Sequence, residues 1–154
     1  MTGRCGLPTL REDLEGYPSY SINHLASLGQ AAQARMLEPL GLSLLMVRAL
    51  TVLYIEDGLT INEIALRSFA EQSTTSRTIE AMVNAGLLER RTPAGDQRRR
   101  EVILTAAGRD KMLAVWPLIE GYRALLTAGI DAQDLVVCQR VLGAMIGNLQ
   151  RGQG

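Results

Sequence analysis

The sequence predicts a mainly α-helical chain with one small β-hairpin, and three observations carry that expectation. Apolar residues recur at helical spacing through most of its 154 residues. Leu87-Leu88-Glu89-Arg90-Arg91 and Val102-Ile103-Leu104 read as two short strands around a turn at Pro93-Ala94-Gly95-Asp96. Just before them, Thr60-Ile61-Asn62-Glu63 and Gly86 bracket a short helix, a turn and a second helix.

Residues 1–17 hold Gly3, Gly6, Pro8 and Gly16 and read as a loose N-terminal arm, with Leu7, Leu10 and Leu14 able to dock on a partner. Pro18-Ser19 opens a helix to about Pro39, with Ile22, Leu25, Leu28, Ala32, Met36 and Leu37 near helical spacing. Gly41 breaks it. Ser43 caps a second helix through Leu44, Val47, Leu50, Leu53 and Tyr54, which stops near Gly58. In Thr60-Ile61-Asn62-Glu63 the threonine oxygen accepts the Glu63 N–H and the glutamate reaches back, while Leu59 and Ile64 stand as a hydrophobic staple. That cap predicts a helix from about Ile61 to Arg67, with Ile64, Ala65 and Phe69 inward.

The next helix covers about Gln72 to Ala85. Ile79, Met82 and Val83 form its buried stripe, and Thr74, Arg77, Thr78 and Ala81 face outward. Gly86 suits the left-handed position after a helix end, with Leu87 supplying the apolar contact beyond it. After the hairpin, Thr105 starts a long helix to about Ala128, which Pro117 should kink by removing a hydrogen bond. Gly129 and Asp131 separate a last helix, about Ala132 to Leu149, that is apolar on more than one face. Cys138 within it reads as a buried small hydrophobe.

At 16.8 kDa, with 47% hydrophobic and 21% charged residues, the chain is most simply one globular domain. Its formal net charge is zero, so affinity for nucleic acid has to come from the placement of charge. Arg90, Arg91, Arg98, Arg99 and Arg100 crowd the hairpin, opposed by Glu89, Asp96 and Glu101. Arg48 and Glu56 interrupt the best candidate for a membrane span, and the N-terminus has no signal-peptide core. Cys5 and Cys138 make no metal-ligand spacing, and the sole histidine, His24, reads as a packed or surface residue. With no histidine-supported nucleophile and no phosphate loop, neither enzyme activity nor a metal or cofactor is expected, and a reduced cytoplasmic protein is.

A helix fronted by small hydroxyls beside an arginine-rich hairpin is the arrangement a reader of double-stranded DNA needs. The helix fits the major groove, and the hairpin reaches phosphates or the minor groove. Ser73, Thr74, Ser76 and Thr78 permit close approach, Arg77 suits guanine or phosphate, and Gln72 suits adenine. Strand alternation sends Arg99 and Arg100 to opposite faces, so only one of them is expected on DNA. The competing expectation is a protein-interaction module without DNA binding, favoured by the neutral charge and disfavoured by the arginine density.

The stretch "STTSRTIEAMVNAGLLERR" followed by "DQRRREVILTAAG" resembles the winged helix-turn-helix of the MarR family of bacterial transcriptional regulators. Ser-Thr-x-x-Arg, Gly-Leu-x-x-Arg and Asp-x-Arg-x-x-x-Val-x-Leu-Thr-x-x-Gly match in register, and the resemblance extends from about Leu14 onward. It implies a winged helix-turn-helix over 43–104, with 18–40 and 105–150 as helical dimerisation regions. It gives Asp96 and Arg98 the wing's role at the DNA backbone or minor groove, and implies a homodimeric, ligand-responsive repressor on a pseudo-palindromic operator. The effector pocket it implies lies between the dimerising helices and the winged region, with Tyr20, His24, Met46, Tyr54 and Trp116 as candidate lining. In the peroxide-sensing branch a reactive cysteine starts the first long helix, where this chain has Ser19.

Overall fold

Local signals place most elements where the sequence puts them. The computed structural model describes residues 10–93, 95–96 and 98–152. Most of the expected arm, Cys5 and Leu7 included, therefore lies outside the described residues, as does Ala94 of the hairpin turn. The described end of that arm is not loose. Arg11–Glu15 forms a one-turn helix, α1, closed by an Arg11–Glu15 ion pair of 2.8 Å and by the Leu10 N–H donating to Asp13.

Helix α2 runs Pro18–Leu37 and ends in a single 3-10 turn, Glu38–Leu40, before Gly41 at φ +65°. Helix α3, Leu44–Ile55, is capped by Ser43, whose hydroxyl accepts the Met46 N–H at 3.2 Å. Helix α4, Ile61–Arg67, starts on the expected capping box: Glu63 N–H donates to Thr60 Oγ1 at 3.3 Å, and Thr60 N–H donates to Glu63 Oε2 at 2.7 Å. Helix α5, Gln72–Asn84, ends with the Leu87 N–H on the Met82 carbonyl and the Gly86 N–H on the Val83 carbonyl, with Gly86 at φ +72°.

Strands β1 (Leu88–Arg91) and β2 (Glu101–Leu104) pair antiparallel with Leu88 opposite Leu104 and Arg91 opposite Glu101. Leu59 adds a partner on the other side of β2, its carbonyl accepting the Val102 N–H at 2.8 Å. The hairpin is thus stitched to the segment that starts α4. Leu50, Leu53, Leu59, Ile64, Ile79, Met82, Leu88 and Val102 are fully buried, so α3, α4, α5 and the hairpin close on one core.

Helix α6, Ala106–Leu126, runs continuously through Pro117. Two compact units divide inside it, between Val115 and Trp116. The second unit holds the remainder of α6 and α7, Ala132–Arg151, capped by Asp131 accepting the Gln133 N–H at 2.8 Å. Among the described residues no single helix is long and apolar enough to cross a membrane.

Two burial expectations are corrected. Phe69 is 88% exposed instead of inward, because α4 stops at Arg67 and Phe69 takes the left-handed position after the Ser68 cap, at φ +53°. Helical spacing no longer applies there, and Ser68 is the residue that turns inside. Cys138 is exposed, since α7 buries none of its residues within the chain.

Candidate nucleic-acid interface

Helix α5 presents its front to solvent because its large apolar residues serve the other side. Ile79 and Met82 are fully buried, and Thr75, which carries no apolar signal in the sequence, is buried with them, its hydroxyl donating to the Glu71 carbonyl at 2.9 Å. Its β-branched shape and internally satisfied hydroxyl let it pack like a valine. Gln72, Ser73, Thr74 and Arg77 are exposed, and Ser76 is half-buried. Thr78 is also half-buried, with its hydroxyl donating to the Thr74 carbonyl at 2.9 Å. Arg77 Nε lies 3.4 Å from the Ser73 carbonyl, along its own helix. Behind this front, Arg48 of α3 donates to the Ser68 carbonyl at 3.2 Å and braces the turn between α4 and α5.

The hairpin arginines divide by partner. Arg90 pairs with Glu80 of α5, fastening β1 to the helix it follows. Arg91 donates to Glu101 Oε2 at 2.9 Å across the strand pair. Arg99 reaches Glu101 Oε1 at 3.0 Å, Glu63 Oε2 at 3.1 Å and the Gly58 carbonyl at 3.3 Å. At the tip, Asp96 accepts the Arg98 main-chain N–H at 2.9 Å, and the Arg98 side chain is exposed. Arg100 is exposed and donates to the Thr92 hydroxyl. Hydrogen bonds from the Thr60 N–H and hydroxyl, together with Arg99, hold the Glu63 carboxyl below its usual value. The Arg91 guanidinium, then Arg99, do the same for Glu101. Both carboxylates stay ionised, so the cluster carries balanced charge.

This geometry coincides with relatedness to known proteins. The MarR family model matches residues 40–99. A MarR-family transcriptional regulator from Silicibacter pomeroyi is 33% identical, covering 92% of this chain and 96% of its own, with a TM-score of 0.80. The chain belongs to the MarR family. A second MarR-family regulator from Silicibacter pomeroyi is 29% identical with a TM-score of 0.84, over 95% of this chain and 99% of that one. S. aureus MepR, solved as a DNA complex, shares the fold at 22% identity and a TM-score of 0.77, covering 86% of this chain and 98% of that one. Among curated proteins nothing matches.

As a MarR-family regulator the chain has a DNA-binding fold. A cavity of about 590 Å³ lies in the elbow between α2 and α3, lined by Ala34, Arg35, Glu38, Gly41, Leu42, Ser43, Leu44 and Met46. Of the five residues expected from sequence, only Met46 lines it. Tyr20 and His24, one helical turn apart on α2, form a tilted ring pair with centroids 6.2 Å apart. Tyr54 is 44% exposed, and Trp116, 46% exposed, belongs to the second unit. The other lining residues escape sequence reading because the 3-10 turn that folds Gly41 back toward α2 leaves only Pro39 and Gly41 as its signal.

Proposed function

We propose that this chain is a ligand-responsive transcriptional repressor that binds a pseudo-palindromic operator as a homodimer. The observation that carries DNA binding is the exposed front of α5, formed by Gln72, Ser73, Thr74 and Arg77, followed directly by a hairpin whose tip presents Arg98. In this reading α5 enters the major groove. Arg77 and Gln72 contact base edges, Ser73, Thr74, Ser76 and Thr78 allow close approach, and Asp96, Arg98 and Arg100 serve the backbone or minor groove.

Dimerisation is supported by apolar side chains left in water. Ile22, Leu25 and Leu28 on α2 and Val136, Val141, Leu142 and Ile146 on α7 are each more than one-third exposed. So many exposed apolar side chains along each of these helices are unusual for a monomer, and a two-fold pair would read half-sites about one helical turn apart. The α2–α3 cavity, at about 590 Å³, has the size of a small-molecule site.

Arg77→Ala tests the reading. Removing a bidentate pairing with guanine should cost about 1–3 kcal/mol and relax preference at one position per half-site. Alanine is the better helix former, so folding should be preserved. Wild-type affinity and selectivity in a folded Arg77→Ala protein would remove α5 as the reader. Light scattering should give about twice 16.8 kDa, and a monomer that binds its operator tightly would remove the dimer.

A further inference from the structure

We propose that Arg99 is a positioning residue, a strut that fixes the wing against α4 and so sets the reach of the wing relative to α5, and that it makes no DNA contact. The inference rests on the DNA-binding reading and assigns this arginine a different part in it.

Arg99 stands at the foot of β2, where the tip rejoins the strand. It is half-buried, with a side chain 38% exposed. Nε donates to Glu101 Oε1, while Nη2 lies within 3.1–3.4 Å of both Glu63 oxygens and the Gly58 carbonyl. Three acceptors from three parts of the chain therefore converge on one guanidinium. Its rigid planar fork suits such convergence, and a lysine ammonium on a flexible stem does not reproduce it.

Glu63 links this arginine to the recognition helix. The same carboxylate holds the Thr60 N–H at 2.7 Å and the Thr60 hydroxyl at 2.8 Å, so it fixes the start of α4. α4 packs in turn against α5. Glu101 links the arginine to the other strand, since its second oxygen takes Arg91 at 2.9 Å. Arg91, Glu101, Arg99 and Glu63 thus form a continuous chain of ion pairs from β1 to the α4 cap. An isolated exposed pair is worth little, but a network with shared partners loses less side-chain entropy per pair. For Arg99 to reach a phosphate, it would have to leave two carboxylates and a carbonyl.

The two roles predict opposite signs for one substitution. Glu63→Gln keeps a side chain that can serve the capping box but removes the charge facing Arg99. If Arg99 contacts DNA, freeing it and deleting a nearby negative charge should strengthen binding. As a strut it should weaken binding about as much as Arg99→Ala does.

The experiment measures affinity for a duplex selected from a random-sequence library, across a salt series, for wild type, Arg99→Ala, Arg99→Lys, Glu63→Gln and the double variant. Hydrogen exchange of the hairpin amides is followed in the same proteins without DNA. Arg99→Ala and Glu63→Gln should each weaken binding by about tenfold, the double variant should be no weaker than either, and the salt slope should match wild type. Arg99→Lys should recover only part of the affinity. Hairpin exchange should quicken in both single variants, with unchanged exchange in the core of α3.

Tighter binding by Glu63→Gln, a salt slope lower by about one in Arg99→Ala, or full recovery by Arg99→Lys would each overturn the strut. If wild type selects no duplex at all, the DNA-binding reading fails. The exchange data then decide the tie between wing and α4 alone, and unchanged hairpin exchange in both variants would refute it.

Discussion

Gly108→Ala should destabilise the protein although it replaces glycine by alanine inside a helix. By propensity alone the change would gain about 0.5–1 kcal/mol. The surroundings reverse the sign. A Cβ on Gly108 would stand 2.1 Å from the Leu87 carbonyl oxygen, 3.1 Å from its carbon and 3.0 Å from Leu104 Cδ2. The nearest obstacle is main chain, so no rotamer change clears it, and the start of α6 must move by roughly an ångström to restore an ordinary separation. That start is tightly bound: the Thr105 N–H donates to the Leu87 carbonyl at 3.2 Å, and the Thr105 hydroxyl donates toward the Gly86 carbonyl at 2.7 Å. The same hydroxyl accepts the Gly108 N–H at 3.1 Å.

Overpacking of this kind costs about 1–3 kcal/mol, and stretching two or three hydrogen bonds adds about 1 kcal/mol each. After the propensity gain, a net destabilisation of about 2–5 kcal/mol remains, or roughly 5–20 °C in Tm for a domain of this size. Thermal unfolding followed by circular dichroism reads it directly. Gly121→Ala, where a Cβ meets nothing within 4 Å, is the control and should melt at or slightly above wild type. A Gly108→Ala protein melting at or above wild type would refute the reasoning, because α6 would then be free to slide on the α5–β1 turn.

Arg98→Ala should weaken binding to specific and random duplexes alike and lower the salt slope by about one for each phosphate it no longer neutralises, measured by titration over a salt series. Phe69→Gly should stabilise the fold by about 0.5–1 kcal/mol in urea unfolding, because Phe69 holds φ +53° while its side chain is 88% exposed; a decrease in stability would show that the phenyl group packs on something in solution. Glu63→Gln should destabilise the fold at neutral pH, with the difference from wild type shrinking in acid. The Glu63 pKa is lowered from 4.5 by the Thr60 hydrogen bonds and then Arg99, so its contribution is fully present above that ordinary value and is lost as pH falls through the depressed one. Urea unfolding of both proteins across the acid range checks it, and a pH-independent difference would contradict the assignment.

What is legible in the sequence is what a few neighbouring residues decide among themselves. The Thr60–Glu63 box, the Ser43 cap and the Gly86 helix end involve interactions within five residues, and each stands where expected. The strand pair is legible because two short strand-like runs flank a local turn. Long-range choices are not. Nothing near Phe69 says that it takes the left-handed position after the Ser68 cap and turns outward, and nothing near Leu59 announces its bridge to Val102. Cys138 differs from expectation for a related reason: apolar spacing on α7 says that a face wants cover, not whether the same chain supplies it.

The wing arginines show why counting charge overstates what a neutral chain offers to DNA. Five arginines lie between Arg90 and Arg100, yet Arg90, Arg91 and Arg99 each face a carboxylate, on Glu80, Glu101 and Glu63 with Glu101 respectively. Those pairs are matched within the fold, and recruiting any of them to phosphate would strand a glutamate beside the DNA. Arg98 at the tip is held through its main chain by Asp96 and its side chain is exposed, so it has no such cost attached. The salt dependence of binding should therefore follow Arg98 and, on α5, Arg77. Arg90, Arg91 and Arg99 hold the hairpin to α5 and α4 through those pairs, and in the proposed reading they act on geometry, by setting the distance of the tip from α5.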